Sequence, residues 1–486
     1  MIEFKDVSFN YAGKADNGID DINIKIKTGE CILLCGRSGC GKTTLTRFIN
    51  KLIPHFYEGT GKGCVYIDGK DVEEIPMYMI SEKVGSVFQN PRSQFFNVDT
   101  DSEVAFGLEN LAYDSDFINE KVRKTYHELN IDKLQGRSIF DLSGGEKQKV
   151  AFASVYAVGP DIYVLDEPSS NLDIYAIDEL KNNLESLKKQ GKTIIVAEHR
   201  LYYLKDIVDK IVYMEKGKIK KVFNRDEFLI MPNKKRECIG LRVLDLNDVI
   251  IKKASRCKKE EPKLSIKELS VGYNKKCVLK NINLNVSEGE VVSIIGHNGT
   301  GKSTFLRTLC GLLKKCDGVI KWHRKELKEK DILKLSYMVM QDVNYQLFAE
   351  SVEEECTLGI KHADKNKIVE ILKKLDLYDY KDIHPAALSG GQKQRTAIAV
   401  SMVADKQILI FDEPTSGLDF ESMKRVADLI STLSSMGKII FIVTHDYEFI
   451  SLCSKRIIHF DNGTMLEDYE LCNESSIKKL HDFFVL

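Results

Sequence analysis

The sequence predicts an α/β protein of two tandem domains, each with a mostly parallel sheet as its core. Three observations predict it. The chain has 486 residues, well beyond the ~250–300 at which one hydrophobic core stops growing. The pattern G-x-x-x-x-G-K-[ST] occurs twice, as G-R-S-G-C-G-K-T at residues 36–43 and G-H-N-G-T-G-K-S at 296–303. Strand-length apolar runs alternate with helix-compatible segments in the same order in both halves, as parallel strands with crossover helices require.

Each copy opens on strand-like segments, residues 2–10 and 22–27 in the first, 264–273 and 282–286 in the second. The apolar runs 31–35 and 291–295 then lead into the phosphate loops. Gly36, Gly39 and Gly41, and likewise Gly296, Gly299 and Gly301, let the backbone turn tightly, so that successive N–H groups converge on phosphate oxygens. The helix that follows adds its positive end. Arg37, Ser38, Cys40 and Thr44 complete the first loop, and His297, Asn298, Thr300 and Thr304 the second. Lys42 and Lys302 are placed to reach the β- and γ-phosphates of a nucleotide, and the Thr43 and Ser303 hydroxyls to bind Mg²⁺.

A hairpin-like segment at 64–69 has a less obvious counterpart at 318–322. Lys42 and Lys302 are 260 residues apart (302 − 42), whereas Leu142 and Leu388 are 246 apart (388 − 142), so the first copy is longer by 14. Residues 54–63 read as a Gly-rich loop that carries part of this surplus. Charge-rich helical stretches follow at 116–129 and 365–375, the latter with Ile368, Ile371, Leu372 and Leu375 at helical spacing. Residues 162–165, 193–197, 408–411 and 439–443 read as buried parallel strands. The expected domains are 1–231 and 263–486. The linker 232–262 is rich in Lys and Arg, with one apolar patch at 241–251 and charges that read as a solvated face.

Lys plus Arg number 71 and Asp plus Glu 72, a net charge of −1. No nucleic-acid partner is expected from that balance. Twelve cysteines without a C-x-x-C pair indicate neither a zinc site nor a disulfide framework, and suit a reducing cytoplasm. Cys31, Cys35 and Cys40 cluster around the first phosphate loop and are not expected as metal ligands; Cys31 and Cys35, in the buried strand, read as small hydrophobes. No stretch approaches ~18 consecutive apolar residues, so any membrane role is expected to come through a partner.

Asp166 and Asp412 each follow a buried strand, where an acid beside a phosphate loop is placed to hold Mg²⁺ through its water shell. Glu167 and Glu413, next in the chain, are placed to polarise a water against the γ-phosphate. Leu-Ser-Gly-Gly occurs at 142–145 and 388–391, each time 24 residues before the acid (166 − 142, 412 − 388). Ser143 with Gly144 and Gly145, and Ser389 with Gly390 and Gly391, open helices and make a second anion site. Glu146 follows in one copy and Gln392 in the other. His199 and His445 each stand 32 residues after a Glu (199 − 167, 445 − 413).

Phosphate loop, glutamine (Gln89, Gln341), Leu-Ser-Gly-Gly signature, Asp-Glu-Pro box, Ser-x-Leu-Asp loop and His, in that order, resemble the nucleotide-binding domain of ABC ATPases. The match covers both halves. It implies an antiparallel β subdomain and a helical subdomain beside each sheet core, with ATP and Mg²⁺ as ligands. It also implies intrachain head-to-tail pairing: Lys42, Thr43, Gln89, Asp166, Glu167 and His199 with Ser389, Gly391 and Gln392, and Lys302, Ser303, Gln341, Asp412, Glu413 and His445 with Ser143, Gly145 and Glu146. By the same resemblance Tyr11 and Tyr273 stack on adenine, Gln89 and Gln341 reach the metal, and the histidines contact the γ-phosphate. Both glutamates are present, so two competent sites are expected; Glu146 places a negative charge near the nucleotide unless it points away.

The segments Q-N-P-R-S-Q-F-F at 89–96 and Q-D-V-N-Y-Q-L-F at 341–348, each with an S-x-E-type helix start after it, resemble the energy-coupling factor transporters, although Val343 stands where Pro is usual. That implies a peripheral subunit on the cytoplasmic face of the membrane. Its partners would be an integral coupling subunit and a substrate-binding membrane subunit, importing a vitamin or a transition-metal ion. A soluble tandem ABC ATPase acting on the ribosome and a fused sugar-importer ATPase remain as alternatives.

Overall fold

The computed structural model describes residues 1–13, 18–253, 261–273, 276–360 and 363–485. Contacts divide the chain into two units, Met1–Asp248 with Asp419–Glu421, and Val249–Leu418 with Ser422–Leu486.

In the first unit a six-stranded sheet runs in the order Lys218–Asn224, Lys210–Glu215, Cys31–Cys35, Thr193–Ala197, Ile162–Asp166 and Val84–Val87. Its neighbours pair in parallel except the first two. Cys31–Cys35, Ile162–Asp166 and Thr193–Ala197 are buried at every position, which is why they read as unbroken apolar runs. Burial pushes the Cys31 thiol up to about 12, as befits a core hydrophobe. A four-stranded antiparallel sheet stands beside this core, in the order Gly18–Ile26, Ile2–Tyr11, Gly59–Ile67 and Lys70–Asp71. Helices Thr100–Asn110, Ser115–Glu128 and Gly144–Val158 supply the helical part. The second unit repeats the plan, with Ser336–Val339, Ile408–Asp412, Ile439–Val443, Val291–Ile295, Arg456–Asp461 and Thr464–Glu470 in its six-stranded sheet. Its antiparallel sheet comprises Lys276–Val286, Leu264–Tyr273, Lys315–Trp322 and Lys325–Glu326.

Three readings change. Half of the expected loop 54–63 is strand: Gly59 and Gly61 pair along Ile2–Tyr11, Gly63 sits at the bulge between the Lys5 and Ser8 pairs, and a Cβ on Gly59 would lie 2.3 Å from the Asn10 carbonyl oxygen. These glycines permit close approach of a neighbouring backbone rather than a turn. The strands expected at 22–27 and 282–286 begin earlier, because Gly18 pairs with Asn10 and Lys276 with Tyr273 in hairpins. Within 232–262, Leu241 and Leu244 pack into the first unit's core, and Arg236 and Arg242 are buried rather than solvated. Arg236 donates to the Met231 carbonyl at 2.6 Å and lies 3.7 Å from Asp248. Residues 254–260 of that stretch lie outside the described residues. No helix among the described residues is long and apolar enough to cross a membrane.

Candidate nucleotide sites

In each unit the strand that ends at the phosphate loop is flanked by the two strands that carry the acid pair's partner and the outer hairpin. Gly36 has φ 146°, and a Cβ there would fall 2.2 Å from the Met214 carbonyl oxygen. Gly296 repeats this against Phe460, also at 2.2 Å. Gly41 and Gly301, at φ 104° and 98°, are the N-caps of Lys42–Ile49 and Lys302–Leu309. Only residues without a Cβ adopt such turns cheaply. Lys42 Nζ donates to the carbonyls of Gly36 (3.1 Å) and Arg37 (3.3 Å) and to His199 Nε2 (3.2 Å). Lys302 Nζ donates to those of Gly296 (2.7 Å) and His297 (2.8 Å). Both amines are thus held inside their own loops by loop carbonyls.

Glu167 and Glu413 have left-handed backbone, φ 46° and 49°. Their N–H groups donate to Ala197 O (2.8 Å) and Val443 O (2.9 Å) across the sheet end. This turn sets each carboxylate beside its histidine, 3.5 Å from His199 Nε2 or His445 Nε2. Gln89 Nε2 donates to Glu167 Oε2 at 2.7 Å. Burial raises the Glu167 carboxyl to about 7, against the pull of Lys42 and Gln89, and burial and the Glu167 charge raise Asp166 to about 7. Burial also raises Asp412. Burial, then Lys42, drives His199 down to about 3. An ammonium can only donate, so His199 accepts on Nε2 and is a neutral imidazole.

Ser143 and Ser389 cap their helices through complete capping boxes. The side chains of Glu146 and Gln392 turn back to accept from the N–H of Ser143 and Ser389, both at 2.8 Å. Glu146 also accepts from Arg137 Nη1 at 2.7 Å. Those hydrogen bonds hold its carboxyl low despite partial burial, so its charge is answered inside its own unit. Tyr11 is half-buried, with its hydroxyl 3.2 Å from Thr44 Oγ1 and accepting from Arg47 Nη1 at 2.9 Å. Tyr273 is 43% exposed, its hydroxyl 3.5 Å from Arg307 Nη1.

A feature of both loops after the glutamine was only partly legible. Gln94 braces the backbone, accepting from Phe88 N (3.1 Å) and donating to Ser86 O (3.1 Å). Gln346 does the same with Met340 N (2.8 Å) and Met338 O (3.0 Å). Buried Glu103 accepts from the N–H groups of Phe96 (3.0 Å) and Asn97 (2.9 Å). Glu355 accepts from Phe348 and Ala349, both at 2.7 Å. Each clasp leaves a phenylalanine outward, Phe96 at 74% and Phe348 at 72% exposure. The signal was the constant distance of seven residues from Phe to Glu (103 − 96, 355 − 348).

The donor sets fit a nucleotide with a divalent cation. Ser303 Oγ donates to Asp412 Oδ2 at 3.1 Å, which places a hydroxyl and a carboxylate together as hard oxygen ligands. Buried Asp166 Oδ1 has no hydrogen-bond partner, an acceptor that a metal-bound water satisfies.

The description of the ABC transporter family fits residues 19–170 and 279–416. A protein of Treponema denticola described as an ABC transporter ATP-binding protein is 46% identical, over 98% of this chain and 98% of its own length. One of Methanosarcina mazei with the same description is 31% identical, over 96% and 88%. Among solved structures, one of ribosome-bound archaeal Pelota and ABCE1 has a chain that superposes with a TM-score of 0.71 at 23% identity, over 98% of this chain and 80% of that one. The RNase-L Inhibitor superposes with 0.64 at 22%, over 99% and 93%. At such identities these two show a shared fold.

Proposed function

This chain belongs to the ABC transporter family, in which it is an ATPase with two ABC domains, and we propose that it drives an importer of the energy-coupling factor type through separate membrane subunits. The observation that carries the reading is the post-glutamine loop of the first unit. At one end Gln89 is bonded to Glu167. At the other, Glu103 fixes Phe96, which stacks on Phe106 at 5.0 Å and lines a groove of about 300 Å³ with Met77, Ile80 and Val155. A change at the carboxylate is therefore mechanically tied to an exposed aromatic, as coupling to another protein requires. The second unit offers the same clasp around Phe348.

In this reading Lys42 and Lys302 bind the β- and γ-phosphates, and Tyr11 and Tyr273 bind the base. Thr43, Gln89 and Asp166 hold Mg²⁺ in one site, and Ser303, Gln341 and Asp412 in the other. The cation, when bound, neutralises phosphate charge. Glu167 and Glu413 take a proton from the attacking water as its oxygen bonds to the γ-phosphorus and the bridging oxygen leaves on ADP. The Glu167 carboxyl, raised to about 7, is matched to that task. The signature serines and glycines of one unit complete the site of the other, as the resemblance implies, so Ser389→Arg should impair the Lys42 site more than the Lys302 site. The linker 232–262 keeps the two domains at high effective concentration.

The test is affinity purification of the tagged chain from detergent-solubilised membranes, with Phe96→Ala/Phe348→Ala as comparison. Recovery of integral membrane proteins with the parent and their loss from the variant is expected. Co-sedimentation with ribosomes and no membrane partner would overturn the importer reading in favour of a ribosomal one.

A further inference from the structure

We propose that Phe483, on the helix Glu474–Phe484, is a positioning residue for the second ATP site, holding its phosphate loop through the ring of His297. The proposal rests on residues 296–303 being a phosphate site and adds to it a determinant outside every motif of the chain.

The Phe483 ring stacks on His297, with centroids 5.5 Å apart and planes at 27°. Its edge meets His459, at 5.0 Å and 71°. His459 lies on the strand Arg456–Asp461, directly opposite Ile295, the last residue before the loop. Phe483 therefore joins the loop to the strand beside it. The helix that carries it is well anchored. Asn473 caps it by accepting from Ser476 N at 2.8 Å, and Leu480 and Phe484 are buried. Lys479 pairs with Glu467 at 2.7 Å. Phe484 packs on Tyr447 at 5.4 Å, two residues beyond His445. One helix thus bears on the phosphate loop and on the start of the segment that follows the histidine.

The consequence concerns Lys302. Its ammonium is held by the carbonyl of His297 itself, together with that of Gly296. Stacking fixes the His297 side chain and with it the peptide that releases Lys302 to a phosphate. The first unit handles the same place differently. Tyr213, opposite Cys35 as His459 is opposite Ile295, donates to Ile239 O at 3.2 Å. The Arg37 side chain lies against Gly240, where a Cβ would come within 2.9 Å of it. Backbone, not an aromatic ring, backs that loop.

The test is titration of the full chain with a fluorescent, non-hydrolysable ATP analogue and Mg²⁺. Lys42→Ala leaves the second site to report, and Lys302→Ala the first. Phe483→Ala is expected to weaken binding roughly two- to tenfold in the Lys42→Ala background, the scale of one stacked aromatic pair, and to leave the Lys302→Ala background unchanged. Phe483→Tyr should restore affinity and Phe483→Leu should not. Equal weakening in both backgrounds, no weakening, or full rescue by Leu overturns the proposal. If Lys42→Ala and Lys302→Ala themselves remove no binding, the phosphate-site reading fails and the proposal falls with it.

Discussion

In the first unit the histidine at the sheet end follows Glu198, whose carboxylate accepts from the N–H groups of His199 (2.7 Å), Arg200 (3.2 Å) and Ser169 (3.3 Å) and from the Tyr203 hydroxyl (2.9 Å). In the second unit the histidine precedes Asp446, which accepts from the Thr415 hydroxyl (3.0 Å) and Phe449 N (3.2 Å). Both acids are buried. The difference teaches that the loop needs an internal acceptor more than it needs one at a fixed position: a side chain from either flank can gather the donors, provided each is satisfied. The same holds at the phosphate loops, where Gly240 backs one and Phe483 the other.

The largest expected effects are on turnover. Glu167→Gln and Glu413→Gln should each slow hydrolysis at the altered site by roughly 10²–10⁴-fold, read by single-turnover assay; an unchanged rate in either variant would make the two sites unequal. Next, Glu198→Ala should destabilise the first unit by about 3 kcal/mol, because several buried donors lose their acceptor. Urea denaturation would measure this, and a loss below about 1 kcal/mol would mean that the loop relaxes around the missing carboxylate. In the first unit pH enters as well. Asp166 and Glu167 hold their protons up to about 7 in the folded chain, against 3.8 and 4.5 ordinarily. The stability they contribute is complete below 3.8, is lost progressively as pH rises from there, and is gone just above about 7. His199, lowered from 6.5 to about 3, works in the opposite direction only below 6.5. The ligand-free melting temperature of the first unit should therefore fall between about pH 4.5 and 7 and level off above that, and Glu167→Gln should flatten that slope. The smallest effect is expected from Glu146→Gln. The capping box survives, and the half-exposed ion pair with Arg137 contributes about 0–1 kcal/mol. Nucleotide affinity should change less than twofold by the binding titration; a larger change would show that the Glu146 charge acts on the nucleotide after all.

Much of the fold was legible because its signals are local. The glycines at 36, 39 and 41 and the apolar strands announce themselves by residue type and order, and the second copy repeats them. The glycines at 59, 61 and 63 misled, since a glycine that opens a turn and one that admits a neighbouring backbone look alike until the partner strand is known. Glu103 and Glu355 were visible only as the acidic part of a helix start, and their task depends on which N–H groups the returning loop delivers.

By itself the sequence determined the two α/β domains, the phosphate loops, the acid pairs and the signature helices, because each depends on contacts between near neighbours in the chain and on strand periodicity. Only the tertiary structure decided that Ser169 turns to Glu198, that Thr415 turns to Asp446, and that Phe483 lies on His297. Those depend on groups brought together from far apart in the chain, where burial and geometry, not residue type, fix what a side chain does.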